Sequence, residues 1–375
     1  MGLLIIFLVS FIASISGSCT NDKNLVLDLA FKLSGNDVVF PCPTTKNIYA
    51  SSGRWIPKNI IATRLAVYND YGIVTLSRFR QGVPFTVGRF PLVNITSRVP
   101  LVAFPCWSIQ EEGSCDSIQN AIDLTIDPLD ILWVLDLGIC NTLEQPVKRC
   151  SPKLWGIKPD SGKVVKTIDL STFLSFDSRI QYLVVDYSVD GVPYAYISDA
   201  GSASIIVINI LHGTGFRVVL PVAICPSVKD IFYLQLIRKS HDTVLYFSYL
   251  SSPFIYSIKT KLLQQGHVDG AIIKCGTKPL GYQVVLLGTD NGAGIFFRYK
   301  GDSDIYVWNT DTAFKPENFL LVHKGGYCRM ATQVIPGWKK LMWAIESNFH
   351  DYITGTTGCL GPSIIVYPLV KTSES

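Results

Sequence analysis

Six positions at matching places in a repeated strand pattern carry polar or aromatic side chains. Each follows the first strand of its copy, and together they are Arg78, Asp136, Asp199, Tyr249, Tyr299 and Glu346. Carboxylates pair with ammonium groups, and aromatic rings offer stacking or cation–π contacts. These residue types therefore predict a site for a small catechol or amine. Asp136 and Asp199 also fit a structural role, because an Asp near a Gly commonly caps a turn through its own backbone.

Motifs of the common hydrolases, metalloproteases and nucleotide-binding enzymes are absent from the sequence: there is no H-E-x-x-H, no G-x-S-x-G and no P-loop. Each of the five His residues is isolated in sequence. His350 is close in sequence to Glu346, the last of the six positions, and has the chemistry of a general base for a tautomerisation. A surface histidine is the plainer interpretation.

Metal ligands are poorly represented. Asp123, Asp127 and Asp130 are acidic and close in sequence, but their spacing is not that of an EF-hand. Asp-Pro-Leu-Asp at 127–130 predicts a turn before a strand that contains Trp133. The sequence has no C-x-x-C, and its His residues do not lie near its Cys residues, so we expect no metal and no cofactor.

The candidate residues must be positioned by short strands, which occur in pairs that repeat along the sequence. A short apolar strand, a polar or Gly break and a second short strand recur at 72–90, 131–138, 193–210, 243–260, 293–310 and 340–353. The copies start 47 to 62 residues apart, an interval that fits one four-stranded propeller blade. Six copies predict an all-β, six-bladed β-propeller that forms a single domain. The alternative is a pair of β-sandwich domains.

Composition favours a folded, exported chain. Hydrophobic residues make up 48% of the sequence and charged residues 17%, and the net charge is +4 with scattered basic residues, so we expect no nucleic-acid partner. Residues 2–15 are almost wholly apolar and small residues follow at 16–18. This pattern predicts a signal peptide over 1–18, a propeller over 19–375, and a secreted protein without a membrane span after cleavage. An uncleaved anchor is the alternative.

Ten cysteines agree with export, because disulfides persist in oxidising compartments. The triplet Asn94-Ile95-Thr96 is a glycosylation acceptor that an exported chain can use.

Several segments resemble motifs of the insect yellow / major royal jelly protein family. They are CPTTKNIYASSGRWIPKNIIATR at 42–64, SRFRQGVPFTVGRF at 77–90, ILWVLDLGI at 131–139, CSPKLWGIKPDSGKVV at 150–165 and YAYISDAGSASIIVINI at 194–210. The resemblance runs from about residue 40 to the end of the sequence. Finer features, such as AFPCWSIQEEGSC at 103–115 and GICNTLEQPVKRC at 138–150, look most like the yellow-g branch.

The resemblance implies a six-bladed propeller with a disulfide between Cys115 and Cys150. Val307 stands where most of the family has a Cys, so a second family disulfide is missing or rewired. The extra cysteines either pair among themselves or cross-link the protein into a matrix; they are Cys106, Cys140, Cys225, Cys275, Cys328 and Cys359.

Amine-binding members of the family imply a ligand site in the last blade. The matching positions are Thr332, Ser347 and Phe349. Thr332 and Phe349 agree with those relatives, whereas Ser347 stands in place of an Asn. We therefore expect the candidate ligand-binding residues to be Asp136, Asp199, Tyr249, Thr332 and Phe349.

The resemblance implies three functions for a protein of this kind. We expect a structural or matrix-associated component of insect eggshell or cuticle, with extracellular matrix proteins as partners. The alternatives are a dopachrome-converting tautomerase of melanin chemistry and a binding protein for biogenic amines. In the last two cases the partner is a small catechol or amine ligand.

Overall fold

The computed structural model describes residues 30–93, 99–239, 242–266, 268, 270–337, 340–359 and 361–369. Two predictions fall outside these residues: the signal peptide over 1–18 and the glycosylation acceptor Asn94.

Six four-stranded antiparallel sheets dominate the described chain. Strand β1 (Phe31–Leu33) comes first and joins the last sheet. Blade 1 contains β2 (Arg64–Tyr68), β3 (Tyr71–Thr75), β4 (Val87–Pro91) and β5 (Val102–Ala103). Blade 2 contains β6 (Ala121–Ile126), β7 (Leu132–Asp136), then a separate hairpin of β8 (Ile139–Cys140) and β9 (Val147–Lys148), then β10 (Lys153–Ile157) and β11 (Val164–Asp169).

The remaining blades follow in chain order. Blade 3 contains β12 (Ile180–Tyr187), β13 (Pro193–Asp199), β14 (Ser204–Asn209) and β15 (Thr214–Val219). Blade 4 contains β16 (Phe232–Arg238), β17 (Thr243–Tyr249), β18 (Phe254–Lys259) and β19 (Ile273–Thr277). Blade 5 contains β20 (Val284–Thr289), β21 (Gly294–Tyr299), β22 (Ile305–Asn309) and β23 (Phe319–His323). Blade 6 contains β24 (Met330–Pro336), β25 (Met342–Ser347), β26 (Ile364–Leu369) and β1.

Helices are short in the described residues. They are α1 (Pro43–Ser51), α2 (Thr260–Gln264) and α3 (Phe349–Thr354). Helix α1 starts at Pro43, whose missing N–H is no loss at a first helical position, and Cys42 caps it. Helix α3 ends at Gly355, which adopts φ +76° in the left-handed region. Within the part of the chain described, no helix is both long and apolar enough to cross a membrane.

Apolar residues on both faces of a strand explain why the sheets stack. In β14, Ile205 and Val207 pack towards blade 4, whereas Ile206 and Ile208 pack towards blade 2. All four are fully buried. Because neighbouring side chains of a strand point to opposite faces, a continuous apolar run needs a partner sheet on each side. Every hydrophobic cluster accordingly combines residues from neighbouring blades.

The sheets close into a ring around a central channel. The innermost strands β2, β6, β12, β16, β20 and β24 contact each other in that order, and β24 returns to contact β2. Strand β1 pairs with β26 and completes blade 6 from the other end of the chain. The predicted all-β six-bladed propeller is therefore confirmed, and the sandwich alternative is wrong.

Two copies of the sequence pattern differ from their expected form. In blade 2, the second strand of the pair is delayed to β10 by the inserted hairpin β8–β9. In blade 6, the residues expected to form the second strand form α3 instead, and β26 pairs with β25 only after it. Asn348 immediately precedes α3 and accepts a hydrogen bond from the Ser363 N–H.

Candidate functional site

A cavity of about 660 Å³ lies at one mouth of the central channel. It is lined by the later parts of the innermost strands of all six blades. Blade 5 lines the cavity with Leu287, Gly288, Thr289 and Asn291. Each of the other five innermost strands contributes a larger polar or charged side chain to the wall. The five are Arg64, Asp123, Tyr182, Gln235 and Gln333.

Arg64, at the start of β2, connects blade 1 to three other blades. Its Nη1 donates a hydrogen bond to the Thr332 carbonyl at 2.8 Å, and its Nε lies 3.4 Å from Asp123 Oδ1. The guanidinium also lies over the ring of Tyr182, 4.5 Å from the centroid. Burial opposes the charge on Arg64, but Tyr182 and Asp123 outweigh it and raise the pKa of the guanidinium.

Asp123 is the carboxylate of this wall that faces Arg64, and it is 4% exposed. The Leu124 N–H donates to its Oδ1 and the Leu183 N–H donates to its Oδ2. Burial raises the pKa of Asp123, while Arg64 and the two N–H donors oppose the shift. Both carboxylate oxygens therefore have protein partners.

Two tyrosines continue the wall into the channel. The rings of Tyr182 and Tyr233 lie 5.1 Å apart, and burial raises the pKa of both phenols. Arg298 is close enough to both to oppose those shifts, and its Nε donates to the Ala331 carbonyl. The channel thus combines phenol rings with guanidinium groups.

The two glutamines differ in their bonding. Gln333 Oε1 accepts a hydrogen bond from the Leu65 N–H at 2.6 Å, so its amide nitrogen points elsewhere. Gln235 is 8% exposed and lines the cavity, and its side chain has no hydrogen bond to the described residues. Its amide atoms are not among the side-chain atoms that are sealed from solvent without a partner, so they open onto the cavity.

Structural contacts occupy Asp127, a second buried carboxylate of the cavity lining. Asp127 accepts hydrogen bonds from the Leu129 and Ile131 N–H groups, from Trp133 Nε1 and from the Tyr187 hydroxyl. The predicted turn before the Trp133 strand is therefore present. Within the described residues, no cluster of His, Cys, Asp and Glu is arranged to hold a metal ion.

Three of the residues predicted to bind ligand lie at the other end of the channel. Asp136, Asp199 and Tyr249 end second strands, where they pair with Ala121, Ile180 and Phe232 at the starts of innermost strands. The opposite ends of those innermost strands line the cavity. The sequence pattern therefore marked one mouth, and the cavity opens at the other.

At the predicted mouth, the carboxylates of Asp136 and Asp199 accept hydrogen bonds from nearby backbone N–H groups and hydroxyls. Asp136 accepts hydrogen bonds from the N–H groups of Gln119, Asn120 and Gly138. Asp199 accepts from the Arg179 N–H and from the hydroxyls of Ser178 and Ser202. Each carboxylate thus holds together loops within its own blade.

The other mouth positions are also engaged in the fold. The Tyr249 hydroxyl donates to the Ala200 carbonyl, and its ring stacks on Phe232 at 4.5 Å. Glu346 Oε1 accepts from the Tyr367 hydroxyl at 2.7 Å. Arg78 is 2% exposed and donates to five backbone carbonyls, which belong to Val83, Pro84, Gln110, Ile118 and Gln119.

The two residues predicted in the last blade lie in different elements, because the segment that contains Phe349 forms a helix and not a strand. Thr332 lies on β24 beside the cavity and donates to the Thr63 carbonyl. Phe349 starts α3 and packs against Phe79 and Tyr352, with ring centroids 5.5 Å and 6.1 Å away. His350 is exposed and lies 3.3 Å from Asp351.

The cysteines confirm one prediction and correct another. Cys115 and Cys150 form the disulfide that the resemblance implied, and Cys328 is also disulfide-bonded. Six cysteines of the described residues are free: Cys42, Cys106, Cys140, Cys225, Cys275 and Cys359. Pairing among the extra cysteines is therefore wrong for five of the six. Several of them have other partners; Cys225 Sγ donates to the Leu220 carbonyl and Cys275 Sγ donates to the Ser257 hydroxyl oxygen.

The matching family model is "Major royal jelly protein", which matches residues 119–359. Dopaminechrome tautomerase of Drosophila melanogaster is 25% identical over 173 residues, covering 44% of this chain and 37% of the relative. Protein yellow of the same species is 31% identical over 115 residues, covering 29% of this chain and 21% of the relative. The matched part thus spans well under half of each relative.

Among solved structures, the calcium-binding protein regucalcin from Agrobacterium tumefaciens is similar in part. It has a TM-score of 0.48 and 11% sequence identity, with 83% of this chain and 92% of that chain covered.

Proposed function

We propose, from the premise that this chain belongs to the major royal jelly protein family, that it is a secreted, matrix-associated protein. Its matrix is an insect eggshell or cuticle, with the eggshell favoured by the yellow-g features of the sequence. The observation that carries this proposal is the set of exposed free thiols in a chain that also contains disulfides: Cys42, Cys106 and Cys359.

Two of these thiols are suited to disulfide exchange. The Thr45 N–H and hydroxyl lie within hydrogen-bond distance of Cys42 Sγ, and these contacts lower the pKa of the thiol. Cys42 also caps the N-terminus of α1, where the helix dipole favours a thiolate. A hydrogen bond with Ser108 lowers the pKa of Cys106. The thiolate is the attacking species, so both cysteines favour bond formation with another chain.

One buried thiol and two half-buried thiols contrast with them. Burial raises the pKa of Cys140 to about 11, and burial raises the pKa of Cys225 and Cys275 as well. Such thiols react slowly and pack as small apolar groups. The chain therefore has two kinds of thiol: packed thiols that react slowly, and exposed thiols that are available for cross-links to another chain.

Secretion is part of the same proposal. The Cys115–Cys150 disulfide is stable in an oxidising compartment, and the family resemblance and the predicted signal peptide agree with export. Localisation in ovary and in integument tests the tissue. Protein confined to pigmenting epidermis would contradict the eggshell role.

Non-reducing electrophoresis of the secreted protein tests the cross-linking. We expect disulfide-linked oligomers that a reductant dissolves, and we expect the double variant Cys42→Ser, Cys106→Ser to lose most of them. Cys225→Ser is the control, because its thiol is half-buried, and it should leave the oligomers unchanged. Equal oligomer formation by the double variant would remove the proposed role of these thiols.

A second candidate function is conversion of a catechol-derived aminochrome in the central cavity. The cavity favours it because Asp123, with its raised pKa, lies beside Tyr182 and Arg64 in a space large enough for a bicyclic molecule. One relative carries the name dopaminechrome tautomerase. A tautomerisation needs a proton acceptor and a donor, which a carboxylate and a phenol can supply.

Loss of dopachrome or dopaminechrome colour with purified protein tests this activity. We expect Asp123→Asn to lower kcat, with Asp177→Asn, at an exposed position, as the control. A wild-type rate equal to that of buffer alone would exclude the enzyme.

A further inference from the structure

The side chain of Gln235 is the starting point, because it is a buried amide that the fold does not use. It is 8% exposed, it lines the cavity, and it has no hydrogen bond to the described residues. Both its donors and its acceptor are therefore free for a guest in the cavity. Its amide atoms are not sealed from solvent, so they open onto the cavity and can exchange water for a guest.

Two further donors lie on the same wall. Gln333 uses its oxygen on the Leu65 N–H, so its NH₂ group remains free to donate. Arg64 follows directly beside it, since its Nη1 contacts the carbonyl of Thr332, the residue before Gln333. Tyr182 lies between this wall and β16, the strand that carries Gln235, because its ring contacts both Arg64 and Tyr233.

Acceptors for a cationic guest are engaged. Asp123 accepts two backbone N–H groups and lies against Arg64, and Asp127 has four donors. The remaining carboxylate of the lining, Asp130, is exposed to solvent. At the buried wall, an ammonium group would meet only engaged carboxylates and would lie close to the Arg64 charge. The surplus of donors instead suits a guest whose head group only accepts hydrogen bonds.

Apolar side chains complete the cavity. Leu65, Val185, Leu236 and Leu287 are buried and contribute to its lining. A cavity of about 660 Å³ has room for a bicyclic ring, and its lining is mixed, with apolar side chains beside a slightly larger share of polar surface.

We propose that the cavity binds a small organic carboxylate with an apolar ring body, and that Gln235, Gln333 and Arg64 donate hydrogen bonds to its carboxylate. The inference concerns binding, and it depends neither on cross-linking into a matrix nor on turnover of a substrate.

Calorimetric titration with two matched probes tests the proposal. 2-Naphthoate carries the carboxylate, and 2-naphthylmethylamine carries an ammonium group on the same ring. We expect saturable binding of 2-naphthoate and at least about tenfold weaker binding of the amine. Equal or tighter binding of the amine, or no binding of 2-naphthoate, would overturn the proposal.

Variants at Gln235 test the assignment of the site. Gln235→Leu should weaken 2-naphthoate binding by about tenfold, because a donor to the carboxylate is lost. Its folding should be intact, because the amide makes no hydrogen bond in the fold; a denaturation curve checks this. Gln145→Leu, the same change at an exposed position, should bind as the wild type does.

Gln235→Glu keeps the side-chain shape and provides a second readout if the Leu variant folds poorly. Its carboxylate would repel 2-naphthoate, so we expect binding to be lost. Unchanged 2-naphthoate affinity in both folded variants would contradict a site at Gln235.

Discussion

At the scale of single residues, the protein buries charged groups where backbone carbonyls need donors. Arg78 satisfies five carbonyls, and Lys278 Nζ donates to the carbonyls of Tyr249 and Leu250 at 2.7 Å and 3.3 Å. The sequence pattern placed Arg78 among the candidate site positions and gave no sign that Lys278 is buried, since a pattern shows the charge but not the loops that close around it. Burial is decided by distant segments of the chain, so it was beyond prediction from local sequence.

Lys278 provides a pH-dependent prediction. Burial lowers its pKa from 10.5 to about 8, with Asp230 opposing the shift. Between these values the unfolded chain binds more protons than the folded chain, so the free energy of unfolding rises with pH. Between pH 8 and pH 10.5 we expect the wild type to gain up to about 3 kcal/mol relative to Lys278→Met. Urea unfolding at several pH values measures this difference.

Lys158→Met is the matched control for that experiment, because Lys158 is exposed. Its difference from the wild type should stay constant over the same pH range. A constant or falling difference for Lys278→Met would mean that the buried amine has no depressed pKa.

At the scale of elements, hairpins were the predictable part of the fold. In blades 3, 4 and 5 the sequence pattern marked the second and third strands, which pair as β13–β14, β17–β18 and β21–β22. Those pairs are local in sequence and joined by short turns, so alternation and turn residues determine them. The inserted hairpin of blade 2 and helix α3 of blade 6 broke the pattern.

The candidate site was harder to predict, for a physical reason. Its residues lie on the innermost strands, which come together only when the ring closes. A lone Gln in the apolar β16 was the available signal, because a polar side chain inside such a strand must find either a partner or a guest. The hairpin pattern instead directed attention to Asp136 and Asp199, whose carboxylates cap their own loops.

The turn between β6 and β7 provides a prediction for an element. Asp127 accepts two backbone N–H groups of the turn, Trp133 Nε1 and the Tyr187 hydroxyl, so it joins blade 2 to blade 3. We expect Asp127→Ala to lower the free energy of unfolding by about 3 kcal/mol or more, because buried donors lose their partner. Chemical denaturation measures the loss.

Asp130→Ala is the control for this turn, because Asp130 is exposed. It should cost much less than Asp127→Ala. Equal losses in the two variants would show that the turn tolerates the loss of its central acceptor.

At the scale of the whole molecule, stability depends on closing the circle. Each hydrophobic cluster is shared between neighbouring blades, so no blade has a core of its own. The closed ring leaves short protected strand edges, and it brings the six innermost strands together around the cavity. The candidate site is therefore a property of the ring, and anything that opens the ring should empty the site.

Strand β1 offers a test of closure. It joins the beginning of the described chain to β26, and Phe31 packs against Phe90 of blade 1 and Trp343 of blade 6, with centroids 6.1 Å away in both cases. We expect Phe31→Ala to lower the free energy of unfolding by about 3–5 kcal/mol, because a large buried ring leaves a cavity. Lys32→Ala, at the exposed position between Phe31 and Leu33, should have little effect.

Denaturant unfolding compares the two variants, and amide hydrogen exchange should show the largest loss of protection in β26 and β25. If Phe31→Ala matched Lys32→Ala in stability, or lost protection evenly over all six blades, β1 would not be what holds the ring closed.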